Sequence, residues 1–319
     1  PGENVNFRKI CVLGMGYIGL PTACTFATHG LHVTGVDVNE EVLATLKRGA
    51  IHIHEPGLGN LVEEALAGGR LVFSRVPEEA DAFIIAVPTP FHEDKYGSIN
   101  GQSYKLADME AVKSATEAIL PVLRKGNLVV LESTSPPRTT VDLIAPILEK
   151  SGLKAGVDFH LVYSPERVLP GQILKELIEN ARVIGGTTPE GSEVGRELYS
   201  LFVKGEIRTT DATTAEMVKL MENTYRDINI AIANEFARLA DRFGINVWEA
   251  ITIANDTNYG LAASLYTRDL NTAHRVARAL RAGTVSVNCF SEGDITTPFG
   301  GFKHFLFTDS QLDDRFGKW

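Results

Sequence analysis

The feature that most constrains this chain is a glycine-rich turn set between a strand and a helix. Lys9 to Leu13 is a short apolar run that reads as a buried strand, and Gly14-Met15-Gly16-Tyr17-Ile18-Gly19 follows it directly. The helix pattern beyond holds Pro21 in its first turn, where a missing N–H costs nothing, and Gly30 where it should stop. In such a turn the first glycine permits the tight bend. The second lets backbone approach a pyrophosphate, and the third lets helix and strand pack closely. The helix start then offers free amides and a partial positive charge to phosphates. Alone the pattern is weak, because any glycine turn can mimic it. Here His32 to Val38 reads as the next strand and contains Asp37, twenty-one residues beyond Gly16. A carboxylate there accepts both ribose hydroxyls and repels a 2′-phosphate, which predicts NAD rather than NADP. A structural turn with a solvated Asp is the rival reading, and the joint pattern disfavours it.

The rest of the chain fits that start. Asn39 caps a helix ending near Gly49, and further strands are expected at Leu71–Ser74, Ala82–Val87, Leu128–Glu132, His160–Tyr163 and Arg182–Ile184. Strands alternating with helices predict an α/β fold, a doubly wound parallel sheet of Rossmann type. From Ala212 to Phe243 there is neither Pro nor Gly, and Met217, Leu220, Met221, Tyr225 and Ile228 keep helical spacing. Such a helix spans roughly 45 Å, enough to pack on a second domain or subunit. A short strand–helix–strand tail follows, with strands at Leu261–Tyr266 and Thr284–Asn288 and a helix over Asn271–Arg281. The expected division is 1–211 for the nucleotide domain, 212–252 for the long helix and connector, and 253–319 for the tail.

Composition excludes several classes. The formal charge of −9 argues against a nucleic-acid partner. No apolar run approaches the roughly 20 residues of a membrane helix, and the polar start, Pro1 to Asn6, has no signal-peptide core. Cys11, Cys24 and Cys289 are too few and scattered for a disulfide framework or a zinc site, so no metal is expected and a reducing cytoplasm fits.

Candidate chemistry lies at strand ends. Ala86-Val87-Pro88-Thr89-Pro90 and Glu132-Ser133-Thr134-Ser135-Pro136-Pro137 place Thr89 and Thr134 where open parallel sheets bind ligands. Polar residues before proline turns explain the same spacing equally well. Tyr163 to Gly171 sets the acid Glu166 beside the base Arg167, which suits water activation and phosphate binding, or a plain surface ion pair. Lys219 and Asn223 share a helix face, with Arg226 one turn on. A lysine beside an amide can steady an alkoxide or carry its proton, although spacing alone favours a solvated face.

Together these stretches resemble the UDP-glucose/GDP-mannose dehydrogenase family. The carrying residues are Gly14–Ala23, Gly35–Asn39, Ile51–Leu58 (IHIHEPGL), Ala86–Phe91, Leu131–Pro136, Ser164–Gln172, Arg182–Gly186 and Thr214–Glu235. The resemblance runs from about residue 8 to Glu249. It implies NAD as cofactor, with Gly14, Gly16, Tyr17, Ile18, Gly19, Asp37, Thr89 and Thr134 on the cofactor side. It implies a UDP-sugar substrate, UDP-N-acetyl-D-mannosamine by the nearest match, held by Arg167, Val168, Lys219, Asn223 and Arg226. Glu166, Lys219 and Asn223 match catalytic positions, with Lys219 as proton donor and acceptor, and the long helix matches a homodimer-forming element. Ala181 departs from the acid common there and touches no such role.

The family's reaction takes an alcohol to a carboxylate in two hydride transfers, the second through a cysteine thiolate just beyond the long helix. Here that stretch reads Ala254-Asn255-Asp256-Thr257-Asn258-Tyr259-Gly260 instead. Residues from about Ile253 to Lys303 resemble the C-terminal part of an aldehyde dehydrogenase, downstream of that family's own cysteine and glutamate. Cys289 fits neither nucleophile context, and His304 to Trp319 match neither family. The chain thus reads as a join of two pieces near 249–254. Three readings stand: a nucleotide-sugar 6-dehydrogenase, a non-catalytic NAD-binding and dimerising module, and, furthest from the residues present, an aldehyde dehydrogenase.

Overall fold

The computed structural model describes residues 7–168, 171–246 and 248–249, with the short strands Ala262–Leu265 and Thr284–Val287. It divides into two compact units, Pro1–Met221 and Glu222–Trp319.

The first unit opens with β1 (Lys9–Leu13), α1 (Gly19–Thr28), β2 (His32–Val36), α2 (Glu40–Lys47), α3 (Leu58–Ala67), β3 (Leu71–Ser74) and β4 (Ala82–Ile85). Next come a hairpin of β5 (Phe91–Ile99) and β6 (Gln102–Ala107), then α4 (Glu110–Ile119) and β7 (Leu128–Leu131). A π-helical turn, Thr140–Ile144, leads into α5 (Ala145–Leu148). The unit continues with β8 (His160–Tyr163), α6 (Ile173–Glu179), β9 (Arg182–Gly186), α7 (Pro189–Tyr199) and β10 (Ile207–Asp211). The long helix α8 (Ala212–Phe243) begins here and continues into the second unit.

Eight strands form one sheet in the order β10-β9-β8-β7-β4-β1-β2-β3. From β3 to β8 every pairing is parallel, which reproduces the doubly wound order of dinucleotide-binding folds. β9 runs antiparallel to β8, and β10 pairs parallel with β9. Two-sided burial explains the apolar strands. Ile10 and Val12 join a core with α1, α3 and α7, while Cys11 and Leu13 face a second core with α4, α5 and the start of α8.

Three expected strands, Lys9–Leu13, Leu71–Ser74 and His160–Tyr163, coincide with observed ones. Those expected to reach Val38, Val87 and Glu132 stop at Val36, Ile85 and Leu131. The residues shed, Asp37, Val87 and Glu132 among them, leave the sheet at its carboxyl edge, where the candidate site lies. The strand at Arg182 continues to Gly186. The hairpin and β10 are additions to the expected strands. The hairpin turns on Asn100 and Gly101, both with left-handed φ (51° and 78°), the geometry that an Asn-Gly pair supplies.

In the second unit α8 ends at Phe243, and Gly244 follows with φ 66°, as expected for a C-terminal glycine. β11 (Ala262–Leu265) and β12 (Thr284–Val287) pair in parallel, Ala262 opposite Thr284. Both lie within the strands expected there. The helix expected over 271–281, Cys289 and residues 304–319 lie outside the described residues. None of the described helices is long and apolar enough to cross a membrane.

Candidate functional site

The glycine turn is closed at two of its glycines and open at the third. A Cβ on Gly14 would stand 2.4 Å from the Ala86 carbonyl oxygen, and one on Gly19 would stand 1.8 Å from the Gly14 oxygen. The turn therefore packs against the end of β4, at the point where the strand order reverses. A Cβ on Gly16 would meet nothing within 4 Å. The only uncrowded approach along these three glycines is thus at Gly16, where a diphosphate would come. Tyr17 is exposed and Ile18 half-buried beside it.

Asp37 is fixed before any ligand arrives. Its Oδ2 accepts from the Met15 amide at 2.9 Å and its Oδ1 from the Asn39 amide at 2.9 Å. A carboxylate has about four acceptor positions, so two remain for ribose hydroxyls. Asn39 in turn caps α2, its Oδ1 accepting from the Glu41 and Val42 amides at 2.9 and 3.4 Å. The same segment thus ends a strand, aims an acid and starts a helix.

The strand ends beyond β4 and β7 are tied together. Thr89 Oγ1 donates to the Thr134 carbonyl at 2.6 Å, and Ser133 Oγ donates to the Val87 carbonyl at 2.7 Å. The two threonines singled out from sequence are therefore in direct contact. Their loop continues to Arg138, whose φ of 74° is left-handed, a strained setting for a residue with a Cβ. Glu216 on α8 holds it there. Its Oε2 accepts from the Arg138 amide at 2.5 Å, and its Oε1 accepts from the Thr140 amide at 2.8 Å and hydroxyl at 2.6 Å. Burial pushes the Glu216 carboxyl above its ordinary pKa, and the Thr140 bonds oppose that.

The third loop, Ser164 to Val168, rests on a buried ion cluster. Arg182, at the start of β9, binds a carboxylate oxygen of Glu166, reaches Glu132 Oε1 at 3.3 Å and donates to Ser164 Oγ at 3.1 Å. Tyr199 donates to Glu132 Oε1 at 2.7 Å, and its ring lies 4.2 Å under the guanidinium. Two carboxylates thus share one buried cation. Desolvation raises the Glu132 carboxyl to about 7, although Arg182 pulls it back down. The other oxygen of Glu132 is buried with no hydrogen-bond partner. Glu166 Oε1 accepts from the Arg167 amide at 2.7 Å, so its carboxylate is engaged on both sides. The Glu166 carbonyl accepts from Lys219 Nζ at 2.5 Å, and Lys219 is only 9% exposed. Lys219 is therefore no solvated helix lysine.

The same loop is anchored at its far end by Glu55. This residue, 4% exposed, accepts from the Gly171 amide through Oε2 and the Ile173 amide through Oε1, both at 2.8 Å. Arg167 and Val168 are half-buried between these two anchors. Asn223 and Arg226 belong to the second unit, where α8 continues. Asn223 is half-buried, and the Arg226 side chain lies outside the described residues.

Glu55, Glu132, Arg182, Tyr199 and Glu216 carry no role in the sequence reading. One signal was available. Glu132 and Arg182 adjoin apolar strands, where an ionised group needs a partner of opposite charge. Among the described residues no group of three metal-ligating side chains converges. The fit of NAD rests on the open face at Gly16 and on Asp37's spare acceptor positions. Gly14 to Gly19, Asp37, Thr89 and Thr134 are the residues that would hold it.

Comparison with known proteins identifies the family. Residues 8–203 match the NAD binding domain of the UDP-glucose/GDP-mannose dehydrogenase family, and 213–268 match that family's central domain. Residues 243–316 match the aldehyde dehydrogenase family. A UDP-N-acetyl-D-mannosamine dehydrogenase of Methanococcus maripaludis is 52% identical over 252 residues, covering 79% of this chain and 56% of that protein. The solved UDP-N-acetyl-mannosamine dehydrogenase of Staphylococcus aureus aligns with TM-score 0.70 at 48% identity, covering 78% of this chain and 58% of the other. Its counterpart from Pyrococcus horikoshii aligns with TM-score 0.71 at 45% identity, covering 77% and 57%. The chain spans a little over half the length of these curated relatives.

Proposed function

This chain belongs to the UDP-glucose/GDP-mannose dehydrogenase family, and from that premise we propose that it binds NAD and oxidises the C6 alcohol of a UDP-linked sugar. UDP-N-acetyl-D-mannosamine is the sugar that its relatives' names point to. The observation that carries the reading is a single edge of the sheet. There the open glycine turn, Asp37, the Thr89–Thr134 contact and the Lys219-anchored loop all meet the carboxyl ends of the parallel strands.

Bound NAD supplies a hydride acceptor for the carbon being oxidised. Lys219, as the neutral amine, then has the task of taking the alcohol proton, and the ammonium so formed steadies the alkoxide as its hydride leaves for the cofactor. Asn223, Arg167, Val168 and Arg226 are assigned to the sugar nucleotide by family likeness. Glu166 is assigned with Lys219 to the reacting centre, its carboxylate held in place by Arg182 and the Arg167 amide.

The alcohol-to-aldehyde step needs only these groups. The aldehyde-to-acid step needs a nucleophile to add to the carbonyl carbon. Cys11 and Cys24 do not serve, because burial pushes both thiols up to about 12 and leaves them protonated. We therefore assign the first oxidation to the residues described here. A homodimer through α8 belongs to the same proposal, supported by Tyr225, Ile230 and Phe243, large apolar side chains exposed on its later turns. So does a cytoplasmic setting, where NAD and nucleotide sugars are available.

The test is formation of reduced cofactor by the full chain with UDP-N-acetyl-D-mannosamine and NAD, with the aldehyde trapped by hydroxylamine. Lys219→Ala should lower the rate about 10²-fold while NAD affinity holds. An unchanged rate in that variant removes Lys219 from the chemistry. Tight NAD binding without turnover leaves the second reading, a non-catalytic NAD-binding and dimerising module.

A further inference from the structure

One exposed ion pair, Glu40 with Arg75, stands beside the ribose-binding acid. β2 and β3 run parallel with Val36 opposite Ser74, and the Asp37 amide donates to the Ser74 carbonyl at 3.3 Å. The residues that follow, Asp37 and Arg75, therefore leave the sheet side by side. Glu40, the first residue of α2, reaches back across this gap, and its Oε1 accepts from Arg75 Nη1 at 2.5 Å. Both side chains are mostly exposed, 65% for Arg75 and 74% for Glu40. Ser74 Oγ accepts from the Val76 amide at 3.2 Å, which fixes the turn that carries Arg75.

A dinucleotide carrying a 2′-phosphate would need a cation at this corner. The start of α2 does not supply one, because Asn39 already occupies the amides of Glu41 and Val42. Arg75 is a guanidinium of the type that binds phosphate in bidentate fashion. It is also the basic side chain that the strand register puts next to Asp37.

We propose that Glu40 and Arg75 form a second cofactor-selectivity element, in which Glu40 keeps Arg75 from serving a 2′-phosphate. The proposal rests on the NAD reading above and deepens it. Asp37 disfavours the phosphate by like charge, and Glu40 disfavours it by neutralising the cation that the strand register aligns with that acid. An exposed pair is held weakly. Little stands in the way of Arg75 changing partner once Glu40 is neutral. Two independent barriers predict a stepwise loss of selectivity, whereas a lone Asp37 predicts a single step.

The experiment is calorimetric titration of the full chain with NAD and with NADP, in low and high salt. Asp37→Asn should improve the NADP:NAD affinity ratio about tenfold, and adding Glu40→Gln should improve it about fivefold more. Arg75→Ala in that double variant should remove the second gain and spare the first. Raising the salt should also shrink the second gain, since both groups are in water. If wild type binds NAD but Glu40→Gln adds nothing to Asp37→Asn, or the gain survives Arg75→Ala, the selectivity role is overturned alone. If folded wild type binds neither dinucleotide, it falls together with the NAD reading.

Discussion

The two ends of the candidate site are built by different means. At the nucleotide end, Gly14 to Asp37, the work is done by backbone: a turn closed by packing at Gly14 and Gly19, left open at Gly16, and a carboxylate held by two amides. At the other end, which we propose holds the sugar, the loops are held by buried charge brought from far along the chain. Glu55 reaches residues 171 and 173, Arg182 reaches 132 and 166, and Glu216 reaches 138 and 140. Backbone geometry depends on a few neighbouring residues and costs little to maintain. Buried charge depends on every partner being present, and failure of one strands the rest. The first end should therefore tolerate change except at its contact points, and the second should fail as a unit.

The largest effect expected is at Arg182. Arg182→Met removes the cation shared by Glu132 and Glu166, and denaturant unfolding should show a loss of about 3–5 kcal/mol. A loss under about 1 kcal/mol would mean the cluster is not what supports the Ser164–Val168 loop. Next comes the contrast within the glycine turn. Gly19→Ala drives a methyl into the Gly14 carbonyl and should cost about 1–3 kcal/mol, while Gly16→Ala should leave the melting temperature in place. Equal destabilisation by the two would erase the distinction between closed and open glycines.

Legibility follows the same division. The glycine turn, Asp37, the Asn39 cap and the long helix are local patterns, each contained within one or two elements, and the sequence reading reached all of them. The contact between Thr89 and Thr134 was half legible, since strand ends mark the place but not the pairing. Glu55 lies 116 residues from the amide of Gly171. No local period connects them, and a Glu before Pro-Gly reads as a turn. The hairpin was within reach, because Asn100-Gly101 is a strong turn signal, but its strands are largely polar and exposed and lack the apolar alternation that marks a buried face.

Two further effects sharpen the comparison. Glu55→Gln leaves one of its two amides without an acceptor and should cost about 1–3 kcal/mol, with faster hydrogen exchange at Gly171 and Ile173. Unchanged exchange at both amides would show that the loop holds itself. The last is a pH effect. Glu132 titrates near 4.5 when unfolded and about 7 when folded, because burial disfavours its charge. The folded state therefore keeps a proton that the unfolded state releases, and stability should fall as pH rises from about 4.5 to 7. Glu132→Gln should flatten that fall, by on the order of 10 °C in melting temperature across the window. A wild-type slope retained in the variant would assign the titration to another group.

The most direct test of the nucleotide reading uses the one open glycine. Calorimetric titration of wild-type chain with NAD should give saturable one-to-one binding. Gly16→Val, whose Cβ meets no other atom within 4 Å and whose methyls would fill the place of the diphosphate, should melt at the wild-type temperature and bind no NAD. A properly folded Gly16→Val chain that binds NAD as tightly as wild type would contradict the account.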